Sequence, residues 1–292
     1  MNMRTSSALS TGIGFIDEML DGGLQPGTLT LVYGATGVGK TQFGLSFLNA
    51  GLTAGGRRGC LLDFVTRGDS QQHAEYARRL FGWNLSEGVV ERASVWAAGK
   101  LLPDTFKGLE YSGKRVNRED VSEEDWETWH SILVRKLDQV TAFLYSHFVA
   151  GGRRMMIDGV EPCAKESESV QFELIDYVLR QTKTAPDWVA RQLFRETYRA
   201  NEAKVMANLY DPGEISTILL QTSNELLLDD LISRELPQGD TATNANTIIL
   251  MGRIRLGAKL TRGIFVLKHR GRACSEEIVP FRITERGIET GE

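Results

Sequence analysis

"VYGATGVGKTQFGL", Val32 to Leu45, decides how this chain is read. Apolar residues lead into Gly34, and Gly34-Ala35-Thr36-Gly37-Val38-Gly39-Lys40-Thr41 is a full G-x-x-x-x-G-K-[ST] match. "GTLTLVYG" before it reads as a short buried strand. After it, Phe43, Phe47, Leu48 and Leu52 recur at helical spacing. Strand, glycine loop and helix are the context in which such a loop holds phosphate. Glycines let successive backbone N–H groups turn inward as an anion nest. The helix start, with Gln42 in its first turn, presents its positive end. Lys40 reaches the β and γ phosphates, and the Thr41 hydroxyl is offered to Mg²⁺.

A second acid is expected at the end of a neighbouring strand. "RRMMIDG" supplies Asp158 after an apolar run, where a carboxylate holds Mg²⁺ through water.

Composition agrees with a globular chain: 292 residues, 41% hydrophobic and 25% charged. The net charge of −4 gives no basic footprint for nucleic acid. Cys60, Cys163 and Cys274 form no CxxC pair, so neither a zinc site nor a disulfide framework is expected, and a reducing cytoplasm fits. His73, His130, His147 and His269 are scattered, with no metal-binding spacing. No apolar run reaches the ~18 residues of a membrane span, and "MNMRTSSALS" is too polar for a signal peptide.

Along the rest of the chain, "RRGCLLDFV" reads as a strand and Ser70–Trp83 as an amphipathic helix capped by Ser70. Residues 100–120 read as irregular. A long helix is expected from Ser122 to His147, with Ser122 and Asp125 as a variant capping box. The strand "RRMMIDGVEP" and the helix "ESVQFELIDYVLRQT" follow. Ala185–Asp211 reads as one further helix, on which Arg191, Arg195 and Arg199 share a face. "ISTILLQTS" and three closing runs, "TIILMGRIRL", "RGIFVLKHRG" and "EIVPFRITERG", read as strands. Strand–helix alternation predicts an α/β fold with a mostly parallel sheet flanked by helices. We read residues 1–292 as a single domain, with a lead-in (1–27) and insertions at about 100–120 and 185–211.

The lead-in carries Ser10-Thr11-Gly12, Asp17, Leu20, Gly22-Gly23 and Gly27 before the phosphate loop. This phrase resembles the RecA superfamily and, within it, the KaiC/RadA-like ATPases. "LKHRGRACSEEIVPFRITERGI" independently resembles a KaiC-type ending. The resemblance covers residues 10–65 and 214–290 and is weak between them. It implies a RecA-like core with antiparallel strands at the C-terminal edge. It also implies ATP and Mg²⁺ as cofactors and self-assembly into a ring or filament, possibly a hexamer, with ATP between subunits. Lys268 and Arg270 match residues that reach across to a neighbour's γ-phosphate, as an arginine finger does. Gln221 or Ser223 falls where the family places a polar γ-phosphate sensor.

One departure stands out. The family carries water-activating Glu residues just after the second strand, and here the aligned positions are Val65 and Thr66, or Gly68 and Asp69. Asp69 is the best surviving catalytic candidate and Asp63 the second. Because Asp is one methylene shorter, slow or assembly-dependent hydrolysis of ATP is expected. The segment after "ISTILLQTS", where recombinases contact DNA, holds Arg234 against Glu225, Asp229, Asp230, Glu235 and Asp240, with no aromatic residue. That disfavours DNA binding. The reading is a KaiC-like ATPase acting on an unidentified protein partner. The alternatives are a RadA-like recombination or repair ATPase and a non-hydrolysing scaffold held by nucleotide.

Overall fold

Six consecutive buried residues, Leu29–Gly34, form strand β1 at the middle of the sheet. A strand buried on both faces reads as a continuous apolar run. In the computed structural model, which describes residues 8–65, 72–96, 101–108 and 118–291, β1 lies between β5 (Ser216–Thr222) and β6 (Thr247–Leu256), parallel to both. Beyond β5 come β4 (Arg154–Val160), β2 (Cys60–Asp63) and β3 (Thr105–Lys107), all parallel. Beyond β6 the sheet turns antiparallel through β7 (Lys259–His269), β8 (Val279–Thr284) and β9 (Gly287–Thr290). The order is β3-β2-β4-β5-β1-β6-β7-β8-β9, nine strands among the described residues. The expected mostly parallel sheet with an antiparallel C-terminal edge is therefore present.

Each face of the sheet has its own apolar layer. On one face lie α1 (Gly14–Met19), α2 (Lys40–Gly55) and α3 (His73–Phe81), with Phe43, Phe47 and Leu48 of α2 fully buried. On the other lie α4 (Glu123–Val149), α5 (Val170–Asp176) and α6 (Pro186–Phe194). The lead-in is sewn to the core by polar contacts. Asp17 accepts from Thr11 N at 2.6 Å and Thr11 Oγ1 at 2.7 Å. Buried Arg154 donates to Ser10 O at 2.7 Å and Phe47 O at 2.9 Å, which ties strand, helix and lead-in together.

The long helix begins where expected, with Ser122 accepting from Asp125 N at 3.2 Å. Elsewhere the structure differs from the reading. The stretch read as irregular contains β3, whose Thr105 pairs with Leu61. The helix expected from Ser70 starts at His73 after Gln72 in left-handed geometry (φ 53°), and Ser70 lies outside the described residues. Ala185–Asp211 is two helices, α6 and α7 (Tyr198–Ala207), broken at Arg195, whose φ is +39°. The reason is packing: α6 buries Val189, Ala190, Leu193 and Phe194, while α7 buries only Val205. The three arginines accordingly share no face. Arg191 pairs with Asp187 at 2.8 Å, and Arg195 with Asp138 of α4 at 3.3 Å. Among the described residues no helix is long and apolar enough to cross a membrane.

After α5 the chain makes a π-helical turn, Tyr177–Thr182, that delivers Lys183 inward. Lys183 Nζ donates to Gly27 O at 2.8 Å, and burial lowers its pKa to about 8 from 10.5. Below pH 8 the folded chain bears the cost of burying this charge. Between about 8 and 10.5 it has released a proton that the unfolded chain retains, so this group adds stability as pH rises. Urea unfolding of wild type and Lys183→Met across that window should show wild type gaining on the variant. A constant difference would contradict the burial of the amine.

Candidate functional site: the phosphate loop and its buried carboxylate

The loop between β1 and α2 lies at the carboxyl end of the parallel strands, where open α/β sheets bind ligands. Gly39 opens α2 with φ +112°, a conformation that favours glycine and turns the loop onto the helix N-terminus. The first N–H groups of such a helix lack intrahelical partners and face the loop's concavity. Lys40 folds back into it and is 7% exposed. Its amine donates to Gly34 O at 2.7 Å and Ala35 O at 2.9 Å, and burial lowers its pKa to about 8. Among the described residues, its hydrogen-bond partners are carbonyls of its own loop. The arrangement suits an anion arriving from outside.

Thr36, Gly37, Gly39, Lys40, Thr41 and Gln42 line a cavity of about 370 Å³ above the loop. Val38 turns away into the apolar core, and Gly34 and Ala35 contribute their carbonyls behind it. The opposite wall brings residues that the sequence reading did not assign: Gln72 and Tyr76 from the start of α3, and Arg262 and Ile283 from the antiparallel edge. The Arg262 guanidinium reaches over the loop to Gly37 O at 3.4 Å. Nothing local in the sequence marks these residues: α3 brings Gln72 and Tyr76 in from outside the motif, and the sheet edge folds Arg262 and Ile283 back from more than two hundred positions away.

Asp158 is 3% exposed at the cavity floor. Its Oδ2 accepts from Thr41 Oγ1 at 2.9 Å, and its Oδ1 from Gly159 N at 2.7 Å. His73 Nε2 lies 2.9 Å from the same Oδ2, and His73 Nδ1 lies 3.6 Å from Asp63 Oδ2. Burial alone would raise the Asp158 pKa. The contacts with His73, Thr41 and Gly159 N outweigh it and hold the carboxyl below its ordinary value. Burial likewise opposes charge on His73, but the two carboxylates outweigh it and raise the imidazole pKa. The Asp63 carboxyl is shifted up by burial, against the pull of His73 and of Val65 N. A hydroxyl and a carboxylate oxygen 2.9 Å apart beside a phosphate nest form a donor set of hard oxygens that fits Mg²⁺.

Of the candidate residues, the structure brings together Lys40, Thr41, Gln42 and Asp158. Asp69 lies outside the described residues. Asp63 sits behind His73 and does not line the cavity, where Asp158 is the only carboxylate among the described residues. Thr222 of β5 lines the cavity. Gln221 is the alternate residue on that strand, buried with its Nε2 4.0 Å from Cys163 Sγ. Ser223 is engaged with Glu225. Arg234 is also paired with Glu225, so the cation in the acidic segment after β5 is already in use.

Lys268 and Arg270 stand elsewhere. Lys268 pairs across the sheet with Ile248, and Thr30 of β1 pairs with Thr247. Lys268 therefore lies level with Leu31 and Arg270 with the start of β1, roughly 10 and 16 Å along the sheet from Gly34 at the ~3.3 Å rise per strand residue. There, Lys268 Nζ donates to Ala242 O at 3.0 Å and Thr243 O at 3.1 Å, and Arg270 Nη2 to Thr243 O at 2.9 Å. A larger cavity of about 890 Å³ opens at that same end, beside Gly27, Lys183 and Asp240. It has no phosphate nest, so the smaller cavity is the functional candidate.

A phosphate loop at the carboxyl end of a central parallel strand, with an acid on a nearby strand and an antiparallel edge, defines a RecA-like P-loop NTPase core. The family model "ATPase: KaiC" matches residues 9–184, and the chain belongs to that family. The circadian clock oscillator protein KaiC of Synechococcus elongatus is 26% identical over 280 residues, 96% of this chain and 43% of that protein. KaiC of Prochlorococcus marinus is 42% identical over 81 residues, 28% of this chain and 16% of that protein. DNA repair protein RAD51 homolog 4 of Bos taurus is 56% identical over 41 residues, 14% of this chain and 13% of that protein. The chain spans less than half the length of these curated relatives.

Gly159 places Asp158. Its φ is +85°, and a Cβ there would lie 2.4 Å from Val65 N. Gly159→Ala should lower stability by about 1–3 kcal/mol, read by chemical unfolding. Unchanged stability would show that the bend tolerates a side chain.

Proposed function

We propose that this chain binds Mg-ATP in its phosphate loop and self-assembles head to tail. A second copy supplies Lys268 and Arg270, and hydrolysis to ADP and phosphate is slow. The observation that carries the nucleotide reading is the buried Lys40 ammonium beside the Thr41–Asp158 pair. Lys40 would leave its loop carbonyls for the β and γ phosphates. Residues 36–42 would cradle those phosphates with backbone N–H groups. Thr41 and Asp158 would hold Mg²⁺, which when bound neutralises phosphate charge. The Thr41 hydroxyl has one proton, and giving it to Asp158 Oδ2 leaves its lone pairs free for the cation.

Assembly is supported by the placement of the two cations. They sit at the end of β7 away from their own loop, resting on carbonyls they could exchange for a phosphate of a neighbouring copy. Such a cation stabilises charge that develops during transfer. We read the whole chain as one such ATPase domain, with residues 185–211 as an addition packed against α4. Asp69 remains our candidate for orienting water. A protein partner whose binding changes with ATP turnover completes the proposal.

Lys40→Ala should abolish nucleotide binding, measured with a fluorescent ATP analogue; unchanged binding would overturn the site. Lys268→Ala with Arg270→Ala should keep binding and lose roughly a thousandfold in turnover, the lower range for an arginine finger. Mixing this double variant with Lys40→Ala should restore part of the turnover. No recovery in mixed assemblies would mean that the cations do not act between copies.

A further inference from the structure

His73 has no place in the phosphate-binding chemistry above, yet it is 7% exposed and wedged between two carboxylates. Burying an ionic Asp63–His73–Asp158 train is expensive, and an apolar side chain would fill the space at lower cost. It is also aimed. Gln72, in left-handed geometry, turns the chain so that the first residue of α3 points at the Asp158 carboxylate. We propose that His73 is a positioning residue that holds Asp158 in the orientation in which Thr41 and Asp158 take a divalent cation, with Asp63 fixing the imidazole from behind. The proposal rests on the nucleotide-binding reading.

The geometry supports it atom by atom. Ionised Asp158 only accepts hydrogen bonds, so His73 Nε2 carries the proton across the 2.9 Å contact. Nδ1 faces Asp63 Oδ2 at 3.6 Å, which holds the ring electrostatically on its other side. Asp63 is itself anchored, accepting from Val65 N at 3.0 Å. Asp158 Oδ1 is pinned by Gly159 N. His73 therefore fixes the second oxygen, the one that Thr41 also uses. Among the described residues, removing the imidazole leaves Oδ2 with Thr41 alone, and the carboxylate can then turn toward the space vacated. Polar partners of this kind, one layer behind a metal's ligands, typically set 10–100-fold in metal affinity.

The test uses the full chain, a fluorescent ATP analogue and Mg²⁺. Binding of the analogue is first measured in EDTA for wild type, His73→Gln, His73→Asn and His73→Ala, and Mg²⁺ is then titrated in. EDTA binding, which reports the folded phosphate loop, should be similar in all four. The Mg²⁺ half-point should rise roughly 10–100-fold in the Ala and Asn variants. Gln places an amide N–H where Nε2 was and should restore most of the affinity. Asp63→Asn should raise the half-point less, in the same direction. If the Ala variant does not fold, the contrast between Gln and Asn decides. An unchanged Mg²⁺ half-point in the Ala or Asn variant, or a Gln variant as impaired as these, overturns the proposal while leaving the nucleotide site standing. Failure of wild type to bind the analogue in any condition overturns both.

Discussion

One buried charge organises the functional end of this molecule. Asp158 is almost wholly out of water, and a carboxylate there is tolerable only if its oxygens are satisfied. Three elements meet to satisfy them: α2 through Thr41, α3 through His73, and the bend of β4 through Gly159 N. The demand runs both ways. The carboxylate needs these donors, and they in turn fix the start of two helices relative to the sheet. The phosphate loop is held between them, and its shape depends on a charge about 120 positions later in sequence.

The parallel sheet supplies the second constraint. Six parallel strands place all their carboxyl ends on one side, so the loop, Asp158 and Thr222 converge there without special pairing. The antiparallel strands that follow break this polarity. β7 runs back, so its early residue Arg262 overlooks the loop while its last residues, near Lys268, reach the far end. One strand thus contributes cations to both ends of the molecule. That asymmetry is what a head-to-tail assembly with a shared nucleotide would use.

Much was legible from the residues. The G-x-x-x-x-G-K-[ST] phrase located the loop because strand, glycine and helix signals are local and agree with one another. Asp158 was legible because an apolar run ending in an acid is a short-range pattern. The fault in reading residues 185–211 as one helix has a physical cause: every residue there tolerates helix, and the break at Arg195 is set by where Phe194 and Val205 find core. β3 was missed because a three-residue strand has no period, and its Thr105 becomes a strand residue only by pairing with Leu61.

The sequence alone determined the fold class, the phosphate loop, its Lys40–Thr41 pair and the acid opposite, since each rests on bonding patterns within a few residues. Tertiary structure decided which distant groups share that cavity. In sequence His73 is one of four scattered histidines, and nothing local sets Arg262 apart. Only the packing of α3 and the return of β7 put them at the loop. Electrostatics between side chains depends on distance in space, and a linear pattern carries that distance only where the chain stays local.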